Sequence, residues 1–176
     1  MFSRRKRDPI PEVVLHRLRS DLIGVLVRKG MVGYGKIRWR NGKEAIRVMR
    51  TEQEQKNLKA VLDFYEVVIN DQQYERAGEF LDDNYIQHKP EVETGPQGVL
   101  DFLRYIYSKS PDHKARIVRS FADGDYVILH VHVMNAVEAK DLAVMDIFRV
   151  ENGKLMEHWD VASPVPETAK NVNGVF

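Results

Sequence analysis

The chain has 176 residues, 43% of them hydrophobic, with no cysteine and a formal net charge of +1. The hydrophobic share excludes a globally disordered chain, and the missing thiol excludes disulfide scaffolds, thiolate metal centres and cysteine nucleophiles. The near-zero charge averages two unlike pieces: residues 1–50 carry 14 Lys/Arg against 4 Asp/Glu, a net of +10, and residues 51–176 carry 13 against 22, a net of −9. Such a split implies a basic extension, residues 1–48, joined to a mildly acidic globular domain, residues 49–176.

In chain order, Val14, Leu15, Leu18, Leu22, Val25 and Leu26 have helical spacing, ended by Gly30 and Gly33. Lys36–Trp39 and Glu44–Val48 flank Arg40-Asn41-Gly42-Lys43, a hairpin signal. After Met49, Thr51 and Glu54 form a capping-box pattern. Leu58, Val61, Leu62, Tyr65, Val68 and Ile69 then predict an amphipathic helix. A shorter helix carries Tyr74, Ala77 and Leu81, and Asn84–Pro90 reads as a loop because Pro90 restricts the residue before it. Thr94 with Gln97 repeats the capping pattern ahead of a third helix through Leu100, Leu103, Ile106 and Tyr107. The period then becomes two: strands are predicted at Ala115–Phe121, Tyr126–Asn135, Leu142–Val150 and, beyond the Asn152-Gly153 turn, Leu155–Val161. Helices followed by consecutive antiparallel strands give an α+β domain.

Alternation places Val127, Leu129, Val131 and Val133 on one face of the second strand and Tyr126, Ile128, His130, His132 and Met134 on the other. Asp146 falls in the apolar row Leu142, Val144, Phe148, surroundings that penalise a bare carboxylate. A carboxyl group so placed beside imidazoles is a workable general acid/base. Against that stands an edge-strand Asp146 paired with Arg149 or facing water, and half-buried packing roles for His130 and His132. His-x-His spacing also suits a metal, with His88 or Asp146 as a further ligand, although most such pairs bind nothing. His158 and Glu157 read first as surface ion-pairing residues, and His88 as a loop-capping residue.

The stretches Tyr85-Ile86-Gln87-His88-Lys89-Pro90, Met145–Lys154 and Glu157-His158-Trp159-Asp160 resemble recurring segments of the SnoaL-like polyketide cyclase family, within the nuclear transport factor 2-like superfamily. The tail Asn171–Phe176 is similar to tails in its uncharacterised bacterial members. The resemblance covers about residues 51–176 and implies a cone-like α+β barrel, helices packed on a curved antiparallel sheet around an apolar pocket. It also implies cofactor-independent aldol cyclisation or isomerisation of a small hydrophobic carbonyl compound, with no metal. The family's aspartate acts as acid/base, with a strand histidine fourteen residues before it, a separation kept here by His132 and Asp146. His130 takes a position where the cyclase has an amide. In this reading Asp146 takes the proton and His132 or His130 steadies the enolate. His88, Tyr126, Met134, Phe148, His158 and Trp159 are then the candidate substrate-binding residues.

Other readings of the same pocket are an epoxide-hydrolase-like water addition, metal-dependent chemistry at His88, His130, His132 and Asp146, and a non-catalytic small-molecule-binding or assembly module. The apolar row Val127–Val133, left without cover once helices close the pocket side, predicts a homodimer. The basic extension has no nucleic-acid reading motif, so no specific nucleic-acid partner is expected. No apolar run spans a bilayer, and His16, Arg17, Arg19 and Asp21 break any export core after Arg4–Arg7. A soluble cytoplasmic protein is the expectation.

Overall fold

Two short strands, β1 (Tyr34–Arg38) and β2 (Glu44–Val48), pair antiparallel, Tyr34 opposite Val48 and Arg38 opposite Glu44. The structure, a computed structural model, describes residues 34–38, 44–48, 50–137 and 139–176. The helix expected over Val14–Leu26 and the Arg40–Lys43 turn lie outside the described residues. The chain divides into two units, Met1–Glu52 and Gln53–Phe176.

In the second unit, α1 (Glu52–Phe64) buries Leu58, Val61 and Phe64, as its helical spacing demands. It continues into a π-helical turn over Tyr65–Asn70, closed by the Asp71 N–H on the Glu66 carbonyl at 2.8 Å. Tyr65 and Val68, three residues apart, are both buried, and such turns are frequent at functional sites. A short 3₁₀ turn over Tyr74–Glu79 follows. The loop expected at Asn84–Pro90 is instead partly strand: β3 (Leu81–Gln87) pairs parallel with the last strand, and only from His88 onward does the chain leave the sheet. Asp82, Asp83 and Asn84 break the apolar alternation and so hide it.

Helix α2 (Pro96–Lys109) starts with Pro96 in its first turn, where a missing N–H costs nothing. The residue before it is Gly95 at φ 88°, and no side chain caps the helix. Thr94 works elsewhere: its hydroxyl donates to the Tyr85 carbonyl at 3.1 Å and accepts the Gln87 N–H at 3.3 Å, pinning β3.

The sheet continues through β4 (Lys114–Asp123), β5 (Tyr126–Met134), β6 (Asp141–Glu151) and β7 (Lys154–Pro164), in spatial order β3-β7-β6-β5-β4. It is curved and unclosed, antiparallel except at β3–β7. Asn152 at φ 51° and Gly153 at φ 79° make the tight β6–β7 turn predicted from the Asn-Gly pair. Among the described residues, no helix is long and apolar enough to cross a membrane.

The core lies between the helices and one face of this sheet. Val127, Leu129 and Val131 are fully buried there with Val61, Val68, Val150 and Leu155, each such side chain stabilising by roughly 1.5–3 kcal/mol. This corrects the expectation that the Val127–Val133 row faces a second subunit. Leu129 stands opposite Asp146 and Val131 opposite Val144, so those rows share one face, and the helices cover it. Alternation within a strand separates two faces without saying which one the helices take.

Asn57, fully buried on α1, donates to the Gly124 carbonyl at 3.1 Å and accepts from Gln53 at 2.8 Å, tying the helix to the β4–β5 turn. Asn57→Ala removes the buried amide and its tie to the β4–β5 turn, and thermal melts are expected to show a loss of about 0.5–3 kcal/mol.

Candidate active site

Asp146 and His158 are two of the described residues' three buried polar side chains, exposed by 4% and 8%. Both project from the inner face, Asp146 from β6 and His158 from β7. His158 Nε2 meets Asp146 Oδ1 at 2.9 Å, and the Tyr65 hydroxyl, delivered by the π turn, donates to Asp146 Oδ2 at 2.7 Å. The Phe148 ring lies 4.5 Å from the imidazole. These groups border an apolar cavity of about 170 Å³, lined among others by Phe64, Tyr85, Leu103, Val144, Phe148 and Ala162.

The far side of His158 sets where its protons lie. Gln87 Oε1 accepts the Lys89 backbone N–H at 3.0 Å, which fixes the amide orientation, and stands 2.9 Å from His158 Nδ1. An oxygen there requires a proton on Nδ1. The contact between His158 Nε2 and Asp146 Oδ1 therefore holds one mobile proton, resident on the carboxyl or on the imidazole. Tyr65 does not compete for that role. Burial, then the Asp146 charge and the hydrogen bond to it, push its hydroxyl well above the usual tyrosine range. Burial, then the charges of Asp146 and Asp160, push the cavity-lining Tyr85 up likewise, so both phenols stay protonated donors.

A second carboxylate lies beside the first. Asp160 is the cross-strand partner of Asp146, a spacing of about 5 Å between Cβ atoms. Lys89 Nζ meets it at 2.8 Å. One acid is neutralised by a fixed ammonium, the other shares a proton with an imidazole.

Of the residues expected from sequence, Asp146, Phe148 and His158 come together at the cavity. His130 and His132 do not join them and lie on the opposite face of the sheet. There Arg119 Nη1 donates to His130 Nδ1 at 2.8 Å and Arg116 Nη2 to His132 Nδ1 at 3.3 Å. His132 Nε2 meets Asp141 at 2.8 Å, and the Phe176 ring lies 4.3 Å from the His132 ring. His88 stacks on Trp159 at 4.7 Å and bonds Glu157 at 2.9 Å. Arg149 first, then His88, hold Glu157 below the usual carboxylate range. Tyr126 packs near Trp159, and neither they nor Met134 and His88 line the cavity. The four residues His88, His130, His132 and Asp146 are thus spread over both faces. Among the described residues, no group of three or more His, Cys, Asp or Glu is placed to hold a metal ion.

His158, read first as a surface residue, is the partner Asp146 has. Gln87, Tyr65, Tyr85, Lys89 and Asp160 went unmarked as site residues. The signal available was the parity that puts His158 and Asp160 on one face of β7, together with the Gln87-His88-Lys89 segment that β3 carries against it.

A family profile for SnoaL-like polyketide cyclases matches residues 59–166. Among solved structures, the chain is similar to a protein assigned as a polyketide cyclase from Bacillus cereus ATCC 10987, with TM-score 0.58 and 19% identity over 65% of this chain and 78% of that one. A protein assigned as a SnoaL-like polyketide cyclase from Jannaschia sp. CCS1 gives 0.56 and 15%, over 65% and 90%. One assigned as a ketosteroid isomerase from Kribbella flavida DSM 17836 gives 0.56 and 17%, over 69% and 86%. At these identities the likeness is one of fold. No curated protein matches the sequence.

In a long-range ¹H–¹⁵N spectrum at neutral pH, His158 is expected to carry a proton on Nδ1, and Gln87→Leu to abolish that fixed state. A bare Nδ1 in the unmodified protein would remove the one-proton reading of the Asp146 contact.

Proposed function

The chain belongs to the SnoaL-like polyketide cyclase family, a family of small-molecule enzymes on the nuclear transport factor 2-like fold, and from that premise we propose that it catalyses proton abstraction next to a carbonyl in an apolar small molecule. The observation that carries this reading is the Asp146–His158 pair, one proton between them, set in the wall of an apolar cavity. Asp146 takes the α-proton, and His158 adjusts by moving or holding the shared proton. Tyr65 gives its one proton to Asp146, so the protonated phenol of Tyr85 is the donor available to the enolate oxygen, in surroundings where a fixed dipole is worth more than in water. The enolate carbon then attacks a second carbonyl of the same molecule, closing a ring while the carbonyl oxygen becomes an alkoxide that takes back the proton held at Asp146, or the enolate is reprotonated at another carbon, giving an isomer. Neither course calls on a cofactor, because the electrons stay within the substrate.

His158 takes the part that the family resemblance gave to His132. Both histidines of β5 are engaged with arginines on the other face.

The test follows α-proton exchange in D₂O by NMR over a panel of apolar ketones, since exchange reports enolisation whether or not a later step follows. Asp146→Asn is expected to lower exchange by about 10²–10⁴-fold and to leave ketone binding in place. Full exchange in that variant would overturn the assignment, and binding without exchange in the unmodified protein would favour a non-catalytic binding module.

The outer face supports a second proposal, a homodimer through the side of the sheet away from the cavity. Phe121, Tyr126, Met145 and Val161 are 42–73% exposed there, a concentration of apolar side chains that a second copy would cover. Light scattering at micromolar concentration is expected to give twice the chain mass, and Val161→Asp to lower it; a monomeric mass for the unmodified chain removes the claim.

A further inference from the structure

Among the described residues, Lys89 is the only lysine or arginine in the wall of the inner cavity. The alternation of β3 continues past its end to place it there. Tyr85, Gln87 and Lys89 all line the cavity, and the His88 N–H still donates to the His158 carbonyl at 3.0 Å. A wider cleft of about 840 Å³ adjoins the cavity, and the two share Lys89, Val92, Phe102, Ile106 and Leu142 in their walls. Lys89 thus stands where the two spaces meet.

Its ammonium is only partly used. Nζ donates to Asp160 Oδ2 at 2.8 Å, while Glu91 Oε2 lies at 3.8 Å, beyond hydrogen-bond reach. An ammonium has three donors, and 22% of this side chain's surface is accessible, so an N–H remains for a ligand oxygen. The neighbours decide which kind of oxygen. One ammonium beside the two carboxylates of Asp160 and Glu91 leaves a net charge of −1, and Asp146 stands opposite Asp160. A ligand carboxylate or phosphate would meet net repulsion there. A neutral carbonyl oxygen accepts the charge-assisted bond without it.

We infer that Lys89 holds the second carbonyl oxygen of a diketone whose α-proton is taken at Asp146. The inference rests on the proposed reading of the Asp146–His158 pair and adds a substrate class, apolar 1,5-diketones uncharged at both oxygens. The dimensions suit it. Asp160 and Asp146 are cross-strand partners with Cβ atoms about 5 Å apart, which puts Lys89 Nζ within roughly 10 Å of the Asp146 Cβ. In a folded 1,5-diketone the deprotonated carbon lies about 3 Å from the far carbonyl carbon, and that carbonyl's oxygen points on to Lys89. As the bond between those carbons forms, the carbonyl π pair moves onto the oxygen, where the ammonium meets the developing charge. The proton held at Asp146 ends on that oxygen as a hydroxyl, so the product is an isomer of the substrate. No other reactant enters. A group on the far carbonyl carbon extends into the wider cleft.

The test compares 1-phenylhexane-1,5-dione with 6-phenylhexan-2-one, the same skeleton without the second carbonyl, on the full chain. By NMR titration the unmodified protein is expected to bind the diketone about ten-fold more tightly. In Lys89→Met the ratio of the two affinities is expected to fall to about one. The ratio is the readout because loss of the ammonium also leaves Asp160 uncompensated, which acts on both ketones. Equal affinities in the unmodified protein, or a preference that persists in Lys89→Met, overturn the inference. In D₂O the unmodified protein is expected to exchange the methyl protons of both ketones and to close the diketone to 3-hydroxy-3-phenylcyclohexanone. Exchange of both without closure overturns the role of Lys89 and leaves the Asp146 reading standing, whereas exchange of neither overturns the two together. Independently of how the variant folds, a ¹³C label at the phenyl-bearing carbonyl is expected to move downfield on binding to the unmodified protein, relative to its position in an alkane. An unmoved label overturns the inference.

Discussion

A buried carboxyl group governs this domain. Asp146 sits in a β-strand among Val144, Phe148 and Val150, with 4% of its surface exposed. An isolated carboxylate in such a place costs several kcal/mol, and the chain offsets that with two donors from distant parts of the sequence. Tyr65 arrives from the helical layer and His158 from the neighbouring strand. Tyr65 stands at the head of the π turn that continues α1, whereas His158 arrives through an irregularity in its strand. On β7, Met156 is an extra residue: Leu155 pairs with Val150 and Glu157 with Arg149, two steps against one. That bulge re-aims everything after it. It is what puts His158 on the face of Asp146.

The pairing of Asp146 with Asp160 across two strands then has a chemical consequence. Like charges directly opposite are destabilising, so at least one must be compensated. Lys89 compensates Asp160 through a 2.8 Å contact. Asp146 is left to share a proton with His158. Two carboxyl groups on one sheet face are thereby given different tasks by their partners. The one with the mobile proton is the one surrounded by Tyr65, Phe148 and His158 at the cavity wall.

Much of this was legible in the sequence. The four strands β4–β7, the helices and the Asn152-Gly153 turn followed from period and turn chemistry, and Asp146 stood out as a carboxyl group in an apolar row. What failed was the relation between strands. Strand β3 escaped because Asp82-Asp83-Asn84 gives it no apolar alternation, and because its parallel pairing with β7 is irregular between Leu81 and Ile86. The His158 partnership escaped because it depends on Met156. Counting back from a tight turn that pairs Glu151 with Lys154 puts Trp159, not Asp160, opposite Asp146. His158 would then face outward, as the sequence reading had it. A bulge of one residue leaves no periodicity of its own, so no single-strand pattern reports it.

The same reasoning shows why a separation of fourteen residues misleads here. In an antiparallel pair the two residue numbers of every cross-strand couple have a constant sum until a bulge intervenes, and couples share a face. For β5 and β6 Leu129 stands opposite Asp146, so that sum is odd and residues sharing a face are separated by an odd number. An even separation, such as that of His132 from Asp146, places the two on opposite faces of the sheet. For β6 and β7 beyond the bulge the sum is even, Phe148 standing opposite His158, so the even separation between Asp146 and His158 brings them together. Sequence spacing carries chemistry between strands only after turn length and bulges have set the parity. In this chain the β5–β6 register keeps His130 and His132 from Asp146, and Met156 is the residue that brings His158 to it.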